Sequence, residues 1–551
     1  MLYQIGLTQL DEIRGETEYP TKRYVILPRG RGGGFNEVVH QLRTSYQKVI
    51  QYLAYTALAI PALPPALFPF FQPYTFGKTT LFEIIVEVMA LVWLAWRISS
   101  LSQKPAYASF CDKEKKRTVS IALAAIRPTR SHLVGIAVTA FAGFTTLSAI
   151  FSTDGSASFW GSSARMDGLF TLLHFFAFFI ILASLFDKRA FRRCMQISVI
   201  AGIFAALYAV VQWFDLSFVV ASKGEIFGTL GNPSYLALYL LFTIFLAHYL
   251  AQNEKRREVA IILYCAVAIQ TIALLLTQVQ AAPCALAVGA VVAAYPYIRA
   301  RITLRRGIIA LAALGVFIFL FSFSANFAKL ASLSEGSASL SNRMAVWNIA
   351  LSGIAEKPLL GHGANNFEPY YLAQKNTGAV PLPATGETFD KPHNAYLEIA
   401  FSYGIVWLVA YLFLLWTIIR RAWRAPALAG ACIGYFVFLF FFFDTFASLL
   451  MFFFVAAYLF SSSSSEENNA IASEKTLSPA MLVVSGIALT AIFFAFHFKP
   501  LYSAYFARQF LLQAETGVID ETLKASALRH NAFNTPFIER AILLTERAMK
   551  K

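Results

Sequence analysis

The sequence predicts an all-α integral membrane protein with about 13 transmembrane helices and one long outside loop that carries short helices. Three observations predict it. First, of 551 residues 57% are hydrophobic and only 14% charged, against about 25% charged in soluble domains. Second, apolar runs of roughly 20 residues, the length that crosses a bilayer, recur along most of the chain. Third, Lys and Arg concentrate in alternate loops between those runs, which is how membrane proteins fix their orientation. The composition excludes a soluble multidomain protein, a disordered chain, a coiled coil and a small disulfide scaffold. The net charge of +15 is explained by the loop bias, so nucleic acid is not an expected partner.

The apolar runs begin near Val49, Thr79, His132, Leu169, Cys194, Ser234, Val259, Pro283, Gly307, Tyr396, Ala427, Leu449 and Pro479. Residues 1–48 read as a basic cytoplasmic extension, Gly-rich between Arg29 and Gly34. Residues 49–460 form the polytopic membrane domain, and Pro61, Pro64 and Pro65 are expected to kink its first span. The basic loops are Lys113–Arg117, Lys188–Arg193, Lys255–Arg257, Arg299–Arg306 and Arg420–Arg424. They place the N-terminus in the cytoplasm. Residues 461–478 are then a Ser/Glu linker, 479–498 the last span, and 499–551 an outside helical tail. The tail carries Ala among Leu and Phe in two helical stretches, either a tetratricopeptide-like start or a single helical hairpin. Among the cysteines, none shows metal-ligand spacing, so neither a disulfide framework nor a metal site is expected.

One outside loop, 325–395, far exceeds ordinary connection lengths, and long loops that are not low-complexity are commonly functional. Within it Ser341 is a helix cap candidate, Met344, Trp347, Leu351 and Ile354 repeat at helical spacing, and Pro358 stops the helix. That helix is expected to lie on the membrane with this stripe down. Arg343 falls in its expected first turn, where free N–H groups and a guanidinium together suit phosphate oxygens; the alternative is an interfacial Arg solvating a headgroup. His393 stands in Lys391-Pro392-His393-Asn394-Ala395-Tyr396-Leu397-Glu398, where the loop re-enters the membrane. A neutral imidazole there can accept a hydroxyl proton, and Asp390 is near enough in sequence to orient it. Glu398 lies within the following apolar run, where ionisable groups are costly and usually functional. Arg165 and Asn232 sit in short Gly-rich outside loops, Gly161–Gly168 and Gly228–Pro233, which taken alone read as turns. His362 reads as a turn residue, and His174 and His248 as structural.

Taken together, Ser341-x-Arg343-x-x-x-Trp347, Lys357-Pro358-Leu359-Leu360-Gly361-x-Gly363-x-x-x-Phe367, His393-Asn394-x-Tyr396-Leu397-Glu398 and Tyr403-Gly404-Ile405 resemble the core of the bacterial O-antigen ligase and polymerase superfamily. Arg165-Met166-Asp167-Gly168 and Gly228-Thr229-Leu230-Gly231-Asn232-Pro233 resemble two earlier motifs of that family. The resemblance covers roughly residues 130–460. It implies a membrane glycosyltransferase of the bacterial plasma membrane, working in cell-envelope polysaccharide or lipopolysaccharide synthesis. The donor would be a glycan on undecaprenyl or another polyprenyl pyrophosphate, and the acceptor a hydroxyl of a lipid-linked core sugar, a growing glycan or a protein. It further implies His393 as the base and Arg343 as a donor diphosphate ligand, with Arg165 as a second anion contact. Asn394, Glu398, Asp390, Asn232, Gln280 and Trp347 would support them. No metal or cofactor is implied, because arginines neutralise the leaving diphosphate. One departure stands out: Gln280, in Thr277–Ala282, occupies a place where the family usually has an arginine. Within the enzyme class the alternatives are a polysaccharide polymerase and a protein O-oligosaccharyltransferase. Outside it, the alternative is a polytopic transporter, which should place its polar groups near the membrane midplane in related halves.

Overall fold

The computed structural model describes residues 33–101, 143, 145–162, 164–216, 224–301, 335–377, 388–461, 479–529 and 535–549. Among the described residues every regular element is helical. The long helices are α1 (Gly33–Ala59) and α2 (Phe76–Leu101), then α4 (Leu169–Leu185), α5 (Lys188–Trp213), α6 (Pro233–Gln252), α7 (Arg257–Leu276) and α8 (Ala281–Arg301). A short helix, α3 (Gly155–Trp160), precedes α4. After them come α9 (Glu335–Glu356), α10 (Phe367–Thr377), α11 (Ala395–Tyr403), α12 (Ile405–Ala422), α13 (Pro426–Leu439) and α14 (Phe446–Phe460). The chain ends in α15 (Pro479–Ile492), a π-helical turn (Phe493–Phe498), α16 (Lys499–Ala514), α17 (Glu521–Arg529) and α18 (Thr535–Met549).

Helix α6 is the axis of the bundle. Asn232 caps it, accepting from the Ser234 N–H, and Pro233 follows at its first turn, where a missing N–H costs nothing. Leu236 to Ala247 are all buried. A helix apolar all round must be enclosed by others, and α5, α7, α13 and α14 enclose this one. Helices α8 and α13 approach most closely, through small residues. A methyl added at Gly289 would lie 2.6 Å from the Gly430 carbonyl oxygen, and one at Gly434 2.7 Å from that of Ala285. Such contacts bring backbones together where the hydrophobic effect between helices is weak. Stacked phenylalanines fill the α2–α4–α14 seam, where Phe175 lies 4.7 Å from Phe82 and 5.6 Å from Phe453.

Five described helices are long and apolar enough to cross a membrane, at Lys188–Trp213, Pro233–Gln252, Arg257–Leu276, Ile405–Ala422 and Gly486–Ala514. Shorter apolar helices pack among them at Leu169–Leu185, Ala281–Tyr297, Pro426–Leu439 and Phe446–Phe460. The chain is therefore an all-helical membrane protein, and the count of thirteen is not reached among the described residues. The run near Gly307, most of the run from His132 and the linker 462–478 lie outside them.

Three sequence expectations change. The prolines after α1 form two short 3₁₀ turns, Ile60–Ala62 and Pro65–Leu67, and so end the helix rather than kink it. The run from Tyr396 is two helices, because Gly404 sits at φ +87°. There the backbone approaches the Leu359 carbonyl too closely for any Cβ, and the Ile405 N–H donates to the Pro358 carbonyl at 2.8 Å. Glu398 therefore belongs to the short α11, not to the spanning helix α12. The loop helix begins at Glu335, well before Ser341, so Ser341 is not its cap and Arg343 is not in its first turn. Its buried face is also rotated from the expected stripe. Val346, Ile349, Ala350 and Ile354 are buried against Phe367, Tyr371 and Phe401, while Met344 and Leu351 are more than half exposed.

Candidate functional site

Polar groups converge where segment 388–394 meets the 161–168 turn and the start of α6. Segment 388–394 is irregular, and His393 is held at φ +54°, a left-handed conformation that non-glycine residues adopt at a cost. Immediately after it Asn394 caps α11, its side chain accepting from the Tyr396 and Leu397 N–H groups. The cap fixes the direction in which the chain leaves His393. On the other side, the Trp347 indole N–H donates to the Pro392 carbonyl at 3.0 Å, tying α9 to the same strip of backbone.

Two ion-pair groups result. Arg165 grips Asp390 with two donors, Nε at 2.7 Å and Nη2 at 3.1 Å, and its third nitrogen donates to the Tyr235 hydroxyl. Lys391 lies between Asp167, at 2.6 Å, and Glu398, at 3.1 Å, and its side chain is only 8% exposed. The Phe443 ring joins the groups: the Arg165 guanidinium lies 4.5 Å above it and the Lys391 ammonium 5.7 Å. Cations over an aromatic face gain from its negative quadrupole. The His393 ring packs edge-on against the same Phe443 at 5.2 Å, and against Phe442 at 5.9 Å and Phe389 at 5.7 Å.

The His393 contacts also define its tautomer. Its Nδ1 lies 3.1 Å from the Lys391 carbonyl oxygen, which can only accept, so Nδ1 carries the proton. Nε2 then presents a lone pair, and no described residue occupies it with a hydrogen bond. Burial lowers the His393 pKa; the hydrogen bond to Lys391 and the Asp390 charge oppose this, while Arg165 and Arg343 add to it. The imidazole is therefore neutral at physiological pH. Burial would raise the Asp390 pKa, but Arg165 overrides it and holds the carboxyl below its usual range. Lys391 is likewise raised despite burial, by Asp167 and Glu398, and so stays charged.

Arg343 makes no hydrogen bond or ion pair with any described residue. Burial lowers its pKa, and its charge reaches His393. It is a partly buried cation without a counter-anion among the described residues, close to a neutral imidazole. A small cavity borders Arg165, lined also by Tyr74, Leu230, Tyr235, Asp444 and Phe446. Asp444 accepts from the Tyr435 hydroxyl and from Ser448 Oγ at 3.1 Å, and burial raises its pKa to about 6.

The structure thus brings together Arg165, Asp390, His393 and Glu398, with Asn394 and Trp347 as supports and Arg343 at the edge. It does not bring in Gln280, which is exposed on the turn between α7 and α8. Asn232 acts only as the α6 cap, one turn from Tyr235. His362 is more than a turn residue: its Nε2 lies 2.9 Å from the Gly353 carbonyl and its ring stacks on Phe401 at 4.5 Å, locking α9 to α11. Sequence reasoning missed Lys391, Asp167, Tyr235, Asp444 and Phe443. Lys391 stood in a quoted motif, yet its partners lie in other elements. Asp444 closes a run of four phenylalanines, Phe440 to Phe443, and an acid beside such a run was the available signal.

The helices and this cluster define a polytopic helical membrane protein with a charged, His-containing site beside its loop helices. Residues 263–412 match the family model described as O-antigen ligase. The chain therefore carries a domain of the O-antigen ligase superfamily. The matched segment runs from within α7 into α12 and contains Gln280, Arg343, Trp347, Asp390, His393 and Glu398, whereas Arg165 and Asn232 precede it. No curated protein matches the chain.

Proposed function

We propose that the protein is a glycosyltransferase of the bacterial plasma membrane that moves a glycan from a polyprenyl-pyrophosphate donor to an acceptor hydroxyl at the outer face. The observation that carries this reading is the His393 imidazole, neutral, with Nδ1–H spent on the Lys391 carbonyl and Nε2 open, within electrostatic reach of Arg165 and Arg343. A general base needs a free lone pair, and a leaving diphosphate needs fixed positive charge.

In the step proposed, His393 Nε2 takes the proton of the acceptor hydroxyl. The acceptor oxygen forms a bond to the anomeric carbon of the donor sugar. The bond from that carbon to the phosphate oxygen breaks, and polyprenyl pyrophosphate leaves with the electron pair. Arg343, uncommitted among the described residues, meets the diphosphate. Arg165 is already committed to Asp390 and Tyr235, so its part is to hold Asp390 and the edge of the cavity, with anion contact secondary. Lys391 keeps the 388–394 backbone in place, and Trp347 holds Pro392. The positive-inside pattern supports this site lying outside and the N-terminus in the cytoplasm.

The grouping of Arg165, Asp390, Lys391 and His393 beside the loop helices supports an interfacial enzyme over a carrier. The test is transfer in reconstituted membrane with a defined lipid-linked glycan. Acceptors offered in parallel (lipid-linked core sugar, glycan repeat, peptide) separate ligase, polymerase and protein-transferase readings. Product formation that requires His393 supports the proposal, and no transfer to any acceptor opposes it.

A further inference from the structure

Away from this site, four ionisable side chains meet inside the bundle. Helix α2 contributes Glu83 and Glu87, α4 contributes His174, and the π-helical turn Phe493–Phe498 contributes His497. Glu83 is 1% exposed, His497 2% and His174 9%. Glu87 Oε1 lies 2.9 Å from His497 Nε2 and 3.3 Å from His174 Nε2. Glu83 Oε2 lies 3.9 Å from His497 Nδ1, and Glu83 Oε1 accepts from the Thr171 hydroxyl at 2.6 Å. No other ionisable side chain comes within ion-pair distance of the four among the described residues. The neighbouring α3 and 161–168 turn present Trp160 and Met166 here, while Arg165 and Asp167 are paired at the other site. Intramembrane ionisable groups are rare and usually functional, and π-helical turns are kept mostly where they serve a function.

The geometry counts a proton. His174 Nδ1 lies 2.7 Å from the Phe170 carbonyl oxygen, an acceptor only, so Nδ1 carries a hydrogen. Its Nε2 faces Glu87 Oε1. Either Nε2 also carries a hydrogen and His174 is an imidazolium, or Nε2 is a lone pair and Glu87 is a carboxylic acid. Both placements put one proton on the pair beyond a neutral imidazole and a carboxylate. Without it two lone pairs confront each other, and the carboxylate that also holds His497 is repelled from His174.

The cluster is joined to the functional site through the π-helical turn and α16. Phe496 stacks on Phe170 at 5.5 Å and meets Trp160 at 5.7 Å. Two turns beyond His497, α16 packs Ala504 against Phe76 and Met166, and the Phe71 N–H donates to the Ala504 carbonyl at 2.9 Å. Met166 is the neighbour of Arg165. A small cavity is bordered by Glu83 and His497 on one side and by Trp160 and Met166 on the other.

We propose that Glu83, Glu87, His174 and His497 form a proton-binding latch that fastens the π-helical turn and α16 to α2 and α4, and through α16 the tail to the Arg165 turn. The latch is closed while the shared proton is bound and opens as rising pH removes it. If opening releases one proton, the opening equilibrium grows by up to about tenfold per pH unit across the titration.

Hydrogen–deuterium exchange of the full-length protein in lipid nanodiscs tests this, read on peptides within 493–514 between pH 5 and 9 and corrected for the intrinsic pH dependence of amide exchange. Wild-type protection should fall by up to about tenfold per pH unit over part of that range. Glu87→Gln, and separately His174→Phe, should flatten the dependence, since each removes one seat of the proton. Wild-type protection that does not change with pH overturns the latch. So does the same steep profile in whichever of the two variants folds.

Discussion

Arg165 and Asp390, 225 positions apart in the sequence, meet as a two-point guanidinium–carboxylate pair at 2.7 and 3.1 Å. This pair joins the turn before α4 to the segment that carries His393. Because a planar fork matches a carboxylate in a way an ammonium does not, Arg165→Lys should recover only part of the function lost in Arg165→Ala. A double-mutant cycle with Asp390→Asn should give a coupling of roughly 0.5–3 kcal/mol in thermal unfolding. Strict additivity would mean that the pair holds nothing together.

Lys391 has two carboxylates and little solvent. Removing one partner of a buried charge group leaves the others uncompensated, which costs about 3–5 kcal/mol. Lys391→Met should therefore lower the unfolding temperature sharply. Adding Asp167→Asn and Glu398→Gln should restore part of it, since the unpaired charges are then gone. If the triple variant is less stable than the single one, the cluster is held by something other than charge balance.

Gly404 divides the short α11 from α12 at φ +87° against the Leu359 carbonyl. Gly404→Ala should destabilise by at least about 1–3 kcal/mol, the scale of strain in such backbone regions. Because α11 begins at the Asn394 cap beside His393, transfer should fall along with stability. Unchanged thermal unfolding would contradict the close approach described.

Much of this was legible in the sequence, and the rest failed for identifiable reasons. Composition and basic-loop alternation gave the helical membrane class. His393 stood out by residue type and place, Arg343 by residue type alone. The start of α9 was misread because Ser341 looked like a cap, whereas the helix already includes Glu335. The α9 stripe was misread because its buried partner is not lipid alone but Phe367, Tyr371 and Phe401. The Lys391 cluster was invisible because Asp167 reaches it only through the fold. Glu83, Glu87, His174 and His497 were scattered over three helices, and no spacing along one helix could join them.

Arg343 supplies the donor contact in the proposed reaction. Arg343→Ala should raise the donor KM or lower kcat/KM by an amount equal to a charged hydrogen bond, about 1.5–3 kcal/mol. Arg343→Lys should rescue only part. Gln280→Arg, on the exposed α7–α8 turn outside this cluster, should leave transfer unchanged; a large change would bring that turn into the donor site. Full activity in Arg343→Ala would remove the donor assignment.

The central claim is that His393 is the base, and the pH dependence of transfer in reconstituted membrane tests it most directly. Burial lowers the His393 pKa, with Arg165 and Arg343 adding to the effect. The neutral form is then present above that lowered value and lost as pH falls through it. The acid limb of kcat/KM should accordingly lie below the ordinary histidine value of about 6.5. His393→Ala should still fold and bind donor, lose about 10²–10⁴-fold in rate, and lose that limb. A folded His393→Ala protein that transfers glycan at near wild-type rate, with the acid limb intact, would contradict the mechanism.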